Sequence, residues 1–305
     1  MSTSSTRFSI ARRQSRQVTL DVPVDPTGKP VKQVLLFFAT TYVVTWAFFI
    51  GAKPMGSGLR VTMILIGSLA PSLVAIAMTA RSSGRQGVKE LLGRLLKWRV
   101  RVRWYVFALG YMAAVKLAVA VIYRVTQGRW PHFGAHSIPT ILVLIVLAGI
   151  IGGPLGEEIG WRGYALPRLT ERFGLAPASV LLGLVWSCWH LPLFFLSVGG
   201  DQFGQSFPTY LLQVTALSVA IAWLMGNTGG SLLLAVLMHS AINQTKDLVP
   251  SKVVGAHHMW ALSSSTVAWL TVGVLWVCAA YFLSRMSWRG RLAGVGAAQP
   301  GLAQE

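Results

Sequence analysis

Acidic side chains are scarce in this 305-residue chain: nine Asp and Glu stand against 27 Lys and Arg, and charged residues of both signs make up only 12%. A soluble globular domain carries about 25% charged residues, so an ordinary water-facing fold is excluded. Cysteine is nearly absent. Cys188 and Cys278 each sit inside an apolar run, which argues against a disulfide framework or a thiolate metal centre and leaves both as packing residues. No apolar stretch of signal-peptide length precedes Pro23 and Pro26, so residues 1–30 are expected to form a disordered, basic cytoplasmic tail rather than a cleaved signal. Also missing is the HExxH pairing that sets two metal ligands and a base on one helix.

What the chain has in excess is apolar length. Hydrophobic residues make up 53% and mean hydropathy is +0.57. A membrane-crossing helix needs roughly 20 mainly apolar residues. About eight such windows fit: 31–51, 59–80, 104–123, one starting near 138, 176–198, 208–225, 231–245 and 267–283. The expected fold class is all-α, a polytopic membrane helix bundle of about eight transmembrane helices. Its domains are the 1–30 tail, a transmembrane domain over 31–284 and a cytoplasmic C-terminal tail over 285–305.

A net charge of +18 would point to nucleic acid in a soluble protein. Here the basic residues lie between apolar runs, with no basic stripe interleaved with aromatics, so no nucleic acid is expected and membrane lipids are the anionic partner. Residues 81–103 hold eight Lys and Arg against the single acid Glu90 and are expected to lie on the headgroups, with an amphipathic helix over 88–98. With an even number of spans, one side holds only Lys53, Arg60, Arg124, Arg129, Lys246 and Lys252. The positive-inside bias therefore puts the N-terminus and C-terminus in the cytoplasm. The setting is a multi-pass protein of a cell membrane, read as the bacterial inner (plasma) membrane.

Against that background six polar residues stand out. Glu157, Glu158 and Arg162 lie in one helical segment, His190 in the fifth span, and His239 and Asn243 in the seventh. An ionisable side chain at the bilayer centre costs at least about 2.5 kcal/mol on insertion scales and marks a functional site by default. Positions four apart share a helix face, so Arg162 is placed to pair with Glu158, while Glu157 is rotated about 100° away. This makes Glu158 and Arg162 a supporting pair and leaves Glu157 to bind a metal or take a proton. His239 and Asn243, also four apart, share a side. His132, His136, His257 and His258 fall in loops, and Lys116 is expected to snorkel.

A carboxylate with two imidazoles suits a zinc site of Glu157, His190 and His239 with one open position, and equally a metal-free general base. Both stay open. The Asn243 amide can donate to a developing oxyanion.

Three strings, GPLGEEIGWRGYALPRL, WSCWHLPLFF and LLLAVLMHSAINQ, resemble the motifs of the CPBP intramembrane proteases. This is the CAAX protease and bacteriocin-processing (abortive infection) family, which includes the Ras-converting CAAX endopeptidases. The pattern is Glu-Glu-x-x-x-Arg, then aromatic-x-x-x-His, then His-x-x-x-Asn, over about residues 138–245. The resemblance implies a catalytic centre of Glu157, His190, His239 and Asn243. Glu157 and His190 would activate water and His239 with Asn243 would stabilise the oxyanion, with Glu158 and Arg162 in support. Trp186 stands where Phe is commoner in the second motif, and is expected simply to pack.

The implied activity is intramembrane endopeptidase hydrolysis of a membrane-associated peptide or lipidated-protein substrate. That substrate would come from the cytoplasmic side into a cavity between the fourth, fifth and seventh helices. The alternative is a non-proteolytic, bacteriocin self-immunity or peptide-binding protein of the same fold. A proton-coupled transporter is disfavoured, because no internal repeat pairs the two halves. Oligomeric state is not legible.

Overall fold

A computed structural model describes residues 17–20, 30–133, 153–196, 205–253, 258–262 and 265–289. The described residues are almost entirely helical. Six stretches are long and apolar enough to cross a membrane, namely Val31–Ala52, Ser57–Leu96, Val102–Gln127, Leu175–Phe195, Phe207–Asn227 and Thr266–Arg285, and Leu232–Thr245 is a shorter apolar helix. The expected fourth span, starting near residue 138, lies for the most part outside the described residues.

Helix α1 (Pro30–Ala52) shows how the chain is built for lipid. Its inward face, Val34, Phe37, Thr41, Thr45, Phe49 and Ala52, is fully buried at spacings of three and four, the helical period. Its outward face is Leu35, Leu36, Val43 and Ile50, all well exposed. A helix apolar all round is stable only where its outer face also meets an apolar medium.

The second expected span is two helices, α2 (Ser57–Ser68) and α3 (Ala70–Gly93). They break at Leu69, because Pro71 in the first turn of α3 has no N–H to continue the ladder. Helix α3 runs on through the basic segment and kinks at Gly84, whose φ of 61° and ψ of −161° are accessible only without a Cβ. The amphipathic helix expected over 88–98 is therefore the end of a spanning helix, closed by a short 3-10 turn at Arg94–Leu96. The following residues are non-helical and tied down. Lys97 donates to the Gly229 carbonyl (2.8 Å) and accepts on its own carbonyl from Ser231 Oγ (2.7 Å).

Helix α4 (Val102–Gln127) carries Lys116 on its buried face, 6% exposed. The expected snorkelling is corrected: this lysine points into the bundle. The polar segment comprises α5 (Gly153–Glu158), a π-helical stretch (Ile159–Ala165) and α6 (Leu166–Phe173). Next come α7 (Leu175–Trp189), α8 (Phe207–Asn227), α9 (Leu232–Leu248) and α10 (Thr266–Arg285). Helix α8 is central, packed between α7 and α10. It approaches α7 closely because Gly183 has no side chain, and a Cβ there would lie 2.7 Å from Thr215 Cα.

Within the segment expected to be a disordered tail, Val18 forms a parallel bridge with Met286. Its N–H donates to the Arg285 carbonyl (2.8 Å) and its carbonyl accepts from the Ser287 N–H (3.0 Å). Residues 17–20 and 285–287 thus lie at one end of the bundle.

Candidate active site

Each candidate side chain is placed by a local rule. Helix α7 ends at Trp189, with His190 as its C-cap, because Pro192 has no N–H to donate to the Cys188 carbonyl. A helix end leaves carbonyls without intrahelical partners. Here they are taken from two sides. Tyr42 Oη of α1 donates to the Val185 carbonyl, Trp46 Nε1 donates to the Trp189 carbonyl (3.0 Å), and His190 Nδ1 bonds the Trp186 carbonyl (2.9 Å). A carbonyl can only accept, so Nδ1 carries the proton and Nε2 is the basic nitrogen of the neutral ring. His190 therefore sits at a pinned helix end rather than inside a continuous span, between the rings of Trp189 (centroids 4.7 Å apart) and Tyr210 (5.5 Å).

Glu157 and Glu158 close α5, and the chain then widens into the π-helical turn. Such turns are rare and recur at functional sites. This one displaces carbonyls from the α register, and two arginines receive them: Arg94 donates to the Gly163 carbonyl and Arg168 to that of Tyr164 (3.0 Å). The segment lies hard against the α2–α3 break. A Cβ on Gly156 would meet the Ser68 carbonyl oxygen at 2.8 Å, and one on Gly160 the Pro71 carbonyl oxygen at 2.5 Å. Because neither backbone oxygen can swing aside, Gly160→Ala is expected to destabilise the protein by about 1–3 kcal/mol, as overpacking does. The readout is a lowered melting midpoint in detergent, and an unchanged midpoint would show that the two backbones separate without cost.

The two glutamates have different surroundings. Glu158, wholly buried, accepts on the same Oε1 from Arg162 Nη1 (2.8 Å) and His239 Nδ1 (2.7 Å). The expected Glu158–Arg162 pair is thus extended by His239, which ties α9 to the polar segment. Glu157, 5% exposed, accepts from Trp186 Nε1 on Oε2 (2.7 Å). Its Oε1 lies 3.1 Å from where a Gly153 Cβ would stand, so the absence of that side chain leaves room beside it. Asn243 is half-buried one turn beyond His239. The six candidates sit on α5 with its π-helical extension, the end of α7 and the middle of α9, and contacts through Glu158 and Trp186 join five of them directly.

Trp186, expected only to pack, bridges the cluster. Besides its bond to Glu157, its ring lies 4.0 Å from the Arg162 guanidinium carbon and edge-on to His239 at 5.1 Å. A tryptophan at an aromatic motif position, in a segment also holding a buried acid, was the available signal. Tyr210, Arg94 and Arg168 carried none. His132 and His258 are exposed and His136 and His257 lie outside the described residues. Cys188 and Cys278 are free and half-buried.

The zinc expectation can be tested against donor positions. Among the described residues no three His, Cys, Asp or Glu side chains converge to hold a metal ion. Of the three candidate ligands, Glu157 and His190 each spend one polar atom on Trp186 and His239 spends one on Glu158.

Comparison with known proteins agrees with the motif order. Residues 139–245 match the family described as Type II CAAX prenyl endopeptidase Rce1-like. The CAAX prenyl protease 2 of Methanococcus maripaludis is 28% identical in an alignment of 232 positions that covers 70% of this chain and 84% of that protein. With its multi-pass helical membrane fold and its three ordered motifs, the chain is thus similar, over residues 139–245 above all, to CAAX-type prenyl endopeptidases.

Proposed function

We propose that this chain is a membrane-embedded endopeptidase that hydrolyses a peptide bond near the C-terminus of a prenylated protein, with water activated by Glu157 and His190. The observation that carries the reading is the asymmetry of the two adjacent glutamates. Glu158 takes both Arg162 and His239 on one oxygen, whereas Glu157 accepts the Trp186 indole N–H on Oε2 and has its Oε1 in the space beside Gly153. The name of the Methanococcus relative supports a prenylated client.

In this mechanism a water molecule is polarised between Glu157 Oε1 and His190 Nε2. Glu157 takes one proton as the water oxygen bonds to the scissile carbonyl carbon. The carbonyl π electrons move to oxygen, and the oxyanion receives hydrogen bonds from His239 Nε2–H and the Asn243 amide. Glu157 then hands its proton to the leaving nitrogen as the C–N bond breaks, releasing an amine and a carboxylic acid, which passes its remaining proton to the amine. His239 donates from Nε2 in its protonated form, held through Nδ1 by Glu158. Substrate reaches the site with both termini of the enzyme cytoplasmic. The shared end of residues 17–20 and 285–287 supports that sidedness, since Val18 lies against Gly226, just before the Gly229 and Ser231 that hold Lys97 of the basic segment.

The test is a quenched peptide ending in a prenylated Cys-a-a-X box, assayed with purified protein in detergent. Cleavage on the C-terminal side of the prenylated cysteine is expected, with the non-prenylated peptide cut more slowly. If neither peptide is cut, the reading fails. The mechanism uses no metal, so cleavage is expected to survive 1,10-phenanthroline and EDTA. Loss of activity restored by stoichiometric zinc would overturn the metal-free scheme while leaving the peptidase intact.

A further inference from the structure

Trp186 touches Glu157, Arg162, His190 and His239 at once. It is buried, 3% exposed, on the last full turn of α7. Its indole N–H donates to Glu157 Oε2 at 2.7 Å. The face of the same ring receives the Arg162 guanidinium at 4.0 Å, its backbone carbonyl holds His190 Nδ1 at 2.9 Å, and its ring stands edge-on to His239 at 5.1 Å and to His190 at 5.8 Å.

The electrostatics are matched group by group. An indole has a negative face and a positive edge, and here the face meets a cation while the edge donor meets a carboxylate. Phenylalanine would keep the face and lose the donor.

The bond to Glu157 has a geometric consequence. A carboxylate on a short α5 can rotate about its side-chain torsions unless a donor from another helix holds it, and the Trp186 indole is such a donor. The indole N–H occupies Oε2 and thereby fixes the carboxylate plane, leaving Oε1 on the side opened by Gly153. The same residue sets the tautomer of His190 through its carbonyl. Glu157 Oε1 and His190 Nε2, the two atoms that must share a water, are therefore both oriented by one side chain and its own peptide group.

We propose that Trp186 is the positioning residue for Glu157 and that its indole N–H, rather than its bulk, sets the rate of the reaction. The inference rests on the reading of Glu157 as the base. Its test separates donor from shape by replacing Trp186 with 3-benzothienylalanine, which keeps the bicyclic outline and substitutes sulfur for N–H, alongside Trp186→Phe. On the prenylated peptide, kcat is expected to fall about 10- to 100-fold in both, the rate equivalent of one charge-assisted hydrogen bond, with KM within about threefold. The benzothienyl protein should melt with the wild type. A benzothienyl protein whose kcat stays within about twofold of wild type would reduce Trp186 to packing and overturn the proposal.

A second readout needs no turnover. In protein labelled with 15N at the indole nitrogens, the signal that disappears in Trp186→Phe is expected to shift in Glu157→Ala, because its acceptor is gone. An unmoved signal overturns the proposal whether or not any peptide is cut. A shifted signal with no cleavage by wild type sinks the peptidase reading and leaves the Trp186–Glu157 contact standing.

Discussion

Glu157→Gln is expected to lower the rate of peptide cleavage by about 10²- to 10⁴-fold, the range by which a positioned general base accelerates a reaction. The substitution is chosen for what it preserves. A glutamine at 157 has the same shape, and its amide oxygen can still accept the Trp186 indole N–H that the carboxylate accepts at 2.7 Å, so α5 and the end of α7 stay joined. What is lost is the ability to take a proton from water. Folding should therefore be unaffected while kcat collapses, a separation that a melting curve and a single-turnover assay on the same preparation will register. A Glu157→Gln protein that cleaves within tenfold of wild type would remove Glu157 from the chemistry and transfer the burden of proof to Glu158.

Arg162→Met is expected to act on stability first. Arg162 and Glu158 are both wholly buried and joined at 2.8 Å, and removing one partner of a buried pair costs about 3–5 kcal/mol because the remaining charge has nowhere to go. The loss is sharpened by the shared acceptor. Glu158 Oε1 takes both Arg162 and His239, while Oε2 has no hydrogen-bond partner among the described residues. With the guanidinium gone, the carboxylate rests on His239 alone, and the ring of Trp186 loses the cation over its face. A fall of about 10 °C in melting midpoint follows from that energy for a domain of this size. Adding Glu158→Gln to Arg162→Met should recover much of it, since a neutral amide is far cheaper to leave half-partnered than an ion. An Arg162→Met protein that melts with the wild type would show that the pair is not stabilising and that its carboxylate has another counter-charge.

How much of this was legible in the chain varies by element, and the reasons are physical. Helix α1 was visible because hydropathy is additive along a sequence and a lipid-facing helix needs no partner to be recognised. The Glu158–Arg162 pair was visible because two residues on one helix four apart meet whatever surrounds them. The break at Leu69 was missed although Pro71 announced it, since the apolar run continues unbroken across it and hydropathy cannot register a lost hydrogen bond. The π-helical turn was likewise invisible. It exists because Gly156 and Gly160 are pressed onto the backbone of the α2–α3 junction and because Arg94 and Arg168 stand ready to receive the displaced carbonyls, and those arginines are far apart in sequence.

The sequence by itself determined the class of the protein and singled out the buried polar residues proposed to react. Excess apolar length and scarce acids demand a membrane bundle, and the cost of burying Glu157, Glu158, Arg162, His190 and His239 marks them whatever their arrangement. Only the tertiary structure decided which glutamate is bound by whom. Spacing along α5 separates Glu157 from Glu158 by a rotation, but the partner each one meets comes from another helix: His239 from α9 and Trp186 from α7. Periodicity describes a helix's own faces, and it carries no information on which helix will lie against them.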